Sequence, residues 1–148
     1  MATLFLDTSV VVRRYSSSEP GANRVRQACA PSQRHTLLLS RIAVLEVATA
    51  LNRRVRDGSL PTLVRSRHWR AFQLHLRDQY QLIESTDPIY ATAQQLVFQH
   101  PLRSLDSLHL ASALAVSARI GQAALQFWTA DEQQARAALS EGLMVELV

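Results

Sequence analysis

The chain of 148 residues contains no lysine: all 16 of its basic residues are arginine, set against 12 acids for a net charge of +4. Arginine's planar, bidentate fork suits phosphate recognition. The codon usage of a GC-rich genome also removes lysine, so the charge permits a nucleic-acid partner without demanding one. A single cysteine, Cys29, excludes an internal disulfide and a cysteine-built zinc site, and fits a reducing cytoplasm. The four glycines fall at turns and helix ends, and none builds a glycine-rich phosphate loop. No stretch approaches the ~20 apolar residues of a membrane helix, and the first residues lack the charged-then-apolar pattern of an export signal. No linker, repeat or low-complexity segment interrupts the chain. One domain over residues 1–148 is the expectation, a size that buries roughly 70% of the unfolded surface.

Apolar residues supply 47% of the chain, and their spacing alternates between strand-like and helix-like. Leu4-Phe5-Leu6 reads as a strand buried on both faces, followed by a helix over Ser9–Tyr15. Ser16–Gly21 is a break, and Ala22–Ala30 resumes a helix. Thr36–Leu39 is a second strand. Ser40 is placed to cap a helix that runs from Ile42 to Asp57-Gly58. Leu60–Tyr80 reads as a long amphipathic helix with Leu63, Trp69, Phe72 and Leu76 inward. Gln81–Glu84 is a third strand, and Asp87 caps a helix ending near Gln99. Leu105–Ile120 is apolar nearly all round and should be a central helix. Leu125–Thr129 is a fourth strand, Asp131–Ser140 a helix and Met144–Leu147 an edge strand. Strands alternating with helices predict a three-layer α/β/α sandwich around a parallel sheet of four to five strands.

The acids sort into two groups. Glu19, Asp57, Asp78, Glu84, Asp87, Glu132, Glu141 and Glu146 lie at turns, in polar surroundings or at the chain end. Asp7, Glu46, Asp106 and Asp131 do not. Asp7 ends the first strand, Glu46 interrupts an apolar helix, Asp106 opens the central helix and Asp131 follows the fourth strand. Carboxylates are seldom buried unpaired. Places at strand ends and helix starts converge on one edge of a parallel sheet. Several carboxylates gathered there cannot all ionise without a cation, and Mg²⁺ or Mn²⁺ is the usual oxygen-bound choice. Taken singly, Asp7 and Asp131 are also positioned as helix caps, Asp106 as a dipole partner behind a Ser104 cap, and Glu46 as an ion-pair partner of Arg41 or Arg103.

The segments Leu4-Phe5-Leu6-Asp7-Thr8-Ser9, Ser40 with Glu46, Leu102–Ala111 and Trp128-Thr129-Ala130-Asp131 together resemble the PIN-domain nucleases, and among them the VapC toxins of bacterial toxin–antitoxin pairs. The resemblance covers nearly the whole chain in order, with Arg103–Ala111 its most specific piece. It implies an α/β/α fold, a Mg²⁺- or Mn²⁺-dependent endoribonuclease activity on RNA, a VapB-type antitoxin partner and a homodimer. By position, Asp7, Glu46 and Asp106 match the three core acids and metal ligands, Asp131 the fourth, and Ser9 and Thr129 the hydroxyls lining the site. Some relatives carry a further acid after the fourth; here Glu132 is adjacent, and Gln133-Gln134 follow. With the metal ligands assigned, the cap role at the first helix passes to Thr8 or Ser9.

The other candidates are weaker in chemistry. His109, one turn after Asp106, reads either as a residue supporting the acids or as helix packing. His68 and His75 read as lying on a solvated helix face. Arg65, Arg67, Arg70 and Arg77, with Arg53, Arg54 and Arg56, form either a basic surface for RNA phosphates or an ordinary solvated face. Two other functions stay open: a PIN nuclease outside a toxin pair, acting in RNA processing or on DNA, and a non-catalytic binding member of the family.

Overall fold

A computed structural model of the chain describes residues 1–15 and 18–148. Strands β1 (Thr3–Leu6), β2 (Thr36–Ser40), β3 (Tyr80–Ile83), β4 (Leu125–Thr129) and β5 (Met144–Leu147) form a wholly parallel sheet in the order β3-β2-β1-β4-β5. Its connections are carried by α1 (Thr8–Arg14), α2 (Ala22–Ala28), α3 (Ile42–Arg56), α4 (Thr62–Asp78), α5 (Asp87–Gln99), α6 (Ser104–Ile120) and α7 (Glu132–Ser140). This is the expected α/β/α arrangement with five strands.

Strand periodicity separates two cores. Leu4 and Leu6 point to one face, where they pack with Val10, Val11, Val25, Val47 and Phe72 from α1 to α4. Phe5 points to the other, among Ile89, Leu96, Leu110, Phe127 and Ala138 from β4, α5, α6 and α7. Alternate residues of a strand face opposite sides, so a continuous apolar run can serve both layers. α6 is buried without interruption from Ser107 to Ala113, as its all-round apolarity requires. Successive strands build outward from β1 to β3, and then the chain returns to lay β4 on the far side of β1. That reversal puts a switch point between β1 and β4, where the two crossovers diverge and leave a crevice at the carboxyl ends of the strands.

Several local expectations need correction. Ser40 does not cap α3. It stays in the sheet paired with Ile83, and Arg41 N–H continues the ladder to the Ile83 carbonyl, so the helix starts only at Ile42. Thr86 occupies the N-cap position of α5, with Asp87 in its first turn. α4 ends at Asp78, and Tyr80 joins β3. Leu63 is 65% exposed, because nine residues place it about 180° around the helix from buried Phe72. Leu60, in the loop before α4, takes the inward place instead. Of the Ser16–Gly21 break, Ser16 and Ser17 lie outside the described residues, and Ser18–Gly21 is bend and turn.

His68 and His75 are also displaced from expectation. Both lie within one helical turn of Phe72 on its own side, and both are half-buried. His75 Nδ1 is 2.7 Å from the Tyr15 hydroxyl, which is 3.1 Å from that of Tyr80. Arg14 donates to the Tyr80 hydroxyl at 2.8 Å and to Gln79 Oε1 at 2.6 Å. Burial pushes both tyrosine hydroxyls up, so they remain protonated.

Candidate active site

Four elements meet at the crevice. Leu6 pairs with Trp128 across β1 and β4, and the Asp7 amide continues the ladder to the Trp128 carbonyl at 3.0 Å. Asp7 therefore stands at the switch point. Its carbonyl accepts the amides of Val10 and Val11, at 2.9 and 3.1 Å, and so opens α1. Asp7, not Thr8 or Ser9, occupies the cap position, but its side chain makes no cap bond. The carboxylate is free to turn inward, and the residue is only 3% exposed.

Two hydroxyls hold one oxygen of that carboxylate. Ser9 Oγ donates to Oδ2 at 2.6 Å and Thr129 Oγ1 at 3.2 Å. The other oxygen, Oδ1, meets His109 Nε2 at 3.7 Å and makes no hydrogen bond among the described residues. Burial pushes the Asp7 carboxyl above its usual range, against the pull of His109 and the Ser9 hydrogen bond.

Glu46 reaches the same place from α3. Its Oε1 accepts from Thr8 Oγ1 at 2.9 Å and lies 2.5 Å from His109 Nε2. Burial works to raise this carboxyl, but the hydrogen bond and charge of His109 prevail and hold it below the carboxylate range. Burial likewise works to lower the imidazole of His109. The Glu46 hydrogen bond and the charges of Asp7, Glu46 and Asp106 overcome it and raise that group. His109 is fully buried, and among the described residues its Nδ1 has no hydrogen-bond partner. Of its two readings, helix packing and support of the acids, both describe its position: it sits in the core and holds a carboxylate.

Asp106, in the first turn of α6, is paired with Arg103 at 3.0 Å, and Arg103 rather than Ser104 holds the N-cap position. The hydrogen bond and charge of Asp106 in turn raise the Arg103 guanidinium. Arg41 pairs with Glu84, so neither arginine takes the place of His109 beside Glu46. Asp131 caps α7, its Oδ1 accepting the amides of Gln133 and Gln134 at 2.8 and 3.2 Å. Its second oxygen is left out of the cap.

Asp7, Glu46, Asp106 and Asp131 all line one open cavity of about 640 Å³, together with Thr8, Ser9, Leu45, Arg53, Arg103 and Leu105. Thr129 does not line it. It lies fully buried beneath Asp7, in contact also with Gln134 Oε1 at 3.3 Å. Glu132 points away and pairs with Arg136. As the side chains stand, no three His, Cys, Asp or Glu groups among the described residues converge at metal-ligand distance. Glu46 is turned to His109, Asp106 to Arg103, and Asp131 to its own helix.

Two contributors escape a reading of the sequence. Thr8 looks like a cap beside Asp7, and Gln134 like one glutamine of a polar pair. Yet Gln134 is fully buried and donates to the Asp106 carbonyl at 3.1 Å, tying α7 to the start of α6. Its inward placement follows from α7 itself, where Gln134, Ala135, Ala137 and Ala138 are the buried positions.

A model of the PIN domain family matches residues 4–139. No curated protein matches. Among solved structures, VapBC2 from Rickettsia felis bound to a DNA fragment from the promoter is similar at a TM-score of 0.66 and 12% identity, over 99% of this chain and 98% of that one. VapC20 from Mycobacterium tuberculosis, described as a sarcin-ricin loop cleaving toxin, gives 0.64 and 17%, over 95% and 96%. FitAcB from Neisseria gonorrhoeae gives 0.61 and 16%, over 97% and 95%. Likeness at these identities concerns the fold. With the family model spanning all but the ends of the sequence, the chain belongs to the PIN domain family.

Proposed function

We propose that the protein is a metal-dependent endoribonuclease and the toxin of a VapC-type toxin–antitoxin pair. The observation that carries this reading is the delivery of Asp7, Glu46, Asp106 and Asp131 by separate elements into one open cavity at the sheet's switch point. The donor set fits a hard divalent ion: every acid offers oxygen, no cysteine lines the cavity, and a buried oxygen of Asp7 lacks a hydrogen bond among the described residues. Asp7, Glu46 and Asp106 would hold Mg²⁺ or Mn²⁺, with Asp131 supporting it or a second ion. When bound, such an ion supplies an activated water and positive charge against the phosphodiester.

The chain's own residues have definable tasks. Ser9 and Thr129 fix the rotamer of Asp7 by donating to one of its oxygens, leaving the other to face the ligand. His109 and Thr8 orient Glu46. To serve as a ligand Asp106 would turn from Arg103, whose 83% exposed side chain is placed to meet an incoming phosphate. Asp131 keeps its position through the α7 cap while its second oxygen remains available.

A VapB-type antitoxin, homodimerisation and a cytoplasmic setting belong to the same reading, supported by the resemblance to VapC toxins and by lone Cys29. Among the described residues no helix is long and apolar enough to cross a membrane. The test is to express the chain without any neighbouring antitoxin and sequence the RNA ends that accumulate, then incubate purified protein with that RNA. New ends at defined sites, reproduced in vitro with Mg²⁺ or Mn²⁺ and abolished by chelation, are the expected result. Intact RNA under all these conditions overturns the reading.

A further inference from the structure

Arg53 is a second cation of the cavity, beside Arg103. The residues of α3 that line it are Ile42, Leu45, Glu46, Thr49, Ala50 and Arg53. They recur at the helical spacing of three and four, so they form one stripe down the helix. The stripe is apolar at its start, acidic at Glu46 and basic at its end. Arg53 lies seven residues past Glu46, about 10.5 Å along the axis. Among the described residues Arg53 makes no ion pair with the acids, and the spacing suits a second point of attachment on a ligand that already touches them.

The surroundings of Arg53 support this. Arg13, Arg24, Arg41, Arg77, Arg103 and Arg136 each face a carboxylate, and Arg14 and Arg65 are hydrogen-bonded. Arg53 is exposed, and among the described residues its side chain has neither hydrogen bond nor ion pair. A cation at a helix C-terminus is favoured by the helix dipole wherever it points. Arg54 and Arg56 meet that need equally, and neither lines the cavity. The arginines of α4 are absent from the lining as well, so the cavity selects Arg53 from the wider basic surface.

We propose that Arg53 is a substrate-positioning residue that binds a backbone phosphate of single-stranded RNA one or more nucleotides away from the bond held at the acids. This inference rests on the ribonuclease reading. Because Arg53 contacts phosphate and not a base, it contributes affinity without choosing sequence.

The test measures binding of a short fluorescent single-stranded RNA by anisotropy, in Ca²⁺ buffer at 50 to 200 mM salt, for the parent, Arg53→Gln, Arg53→Lys and Arg119→Gln at the opposite end of α6. Arg53→Gln should weaken binding roughly threefold to tenfold and flatten the slope of log affinity against log salt by about 0.7, the value of one lost phosphate contact on a single strand. Arg53→Lys should recover most of the slope, Arg119→Gln should match the parent, and all four should melt alike. Parent-like affinity and slope in Arg53→Gln overturn the assignment of Arg53 while leaving the nuclease reading intact. A parent that neither binds nor cuts RNA overturns both.

Discussion

The carboxylate cavity and the cluster of Tyr15, His75 and Tyr80 each set a histidine beside an arginine and a set of oxygens, but they close their hydrogen-bond networks differently. In the tyrosine cluster the partners are neutral hydroxyls. Tyr80 accepts from Arg14, His75 has a partner on each ring nitrogen, and Gln79 takes the remaining guanidinium edge. Nothing there asks for an outside ligand. In the cavity, four acids gather near His109 and Arg103, one oxygen of Asp7 and one nitrogen of His109 lack hydrogen-bond partners among the described residues, and the space above is open. Buried polar groups that satisfy one another specify a fold; those left with surplus charge at a crevice mark a place where something else binds.

The contrast can be broken most severely at Asp7. An Asp7→Asn variant should lose at least about 100-fold in RNA cleavage with Mg²⁺ or Mn²⁺ while melting no lower than the parent, because the change removes a carboxylate that burial already disfavours. Cleavage at the parental rate would remove Asp7 from the site. His109→Leu should cut activity roughly 10- to 100-fold, since it releases Glu46 from its orienting partner, and circular dichroism should show the fold retained. In the other cluster, Tyr15→Phe should leave cleavage unchanged and lower stability by about 1–2 kcal/mol in urea unfolding, through the unpaired His75 and Tyr80 groups.

The smallest effect is a matter of sign. Burial, with the charge of Arg14, lowers the His75 imidazole from 6.5, so its contribution to stability is present above pH 6.5 and is lost as pH falls toward the folded value. His109 is raised from 6.5, so its contribution is full below pH 6.5 and is lost as pH rises through the folded value. Melting curves from pH 5 to 8.5 in chelator should show His75→Gln flattening the acid side and His109→Gln the alkaline side. The same flank flattened by both variants would show that the two histidines do not lie in opposite charge environments.

The sequence made the layers readable because parallel strands and their covering helices carry strong, unambiguous apolar patterns. Asp7, Glu46, Asp106 and Asp131 stood out for the same reason: an acid in an apolar run is costly unless something uses it. What stayed hidden was angular and pairwise. Leu63 and His75 both sit on α4 in similar local sequence, yet one faces solvent and the other the core, because helix phase is set by Phe72. The partner of Glu46 is His109, 63 residues away, where sequence offered Arg41 and Arg103 as nearer charges. Asp131 looked like either a cap or a ligand, and the structure shows the cap made by one oxygen only, so the choice was not exclusive.

The pairing of β1 with β4 has a consequence for the order in which the candidate site comes together during synthesis. Thr129 reaches Asp7 across 122 positions of sequence, and β4 is inserted beside the first strand after every helix but α7 has been laid down. A ribosome that has produced the first hundred residues carries Asp7 and Glu46 without Asp106 or Asp131, and with one flank of β1 still bare. Such non-local pairing is late and slow in folding. The four acids therefore share one cavity only once β4 has paired with β1, and a growing chain that has not reached Asp131 holds only part of the candidate site.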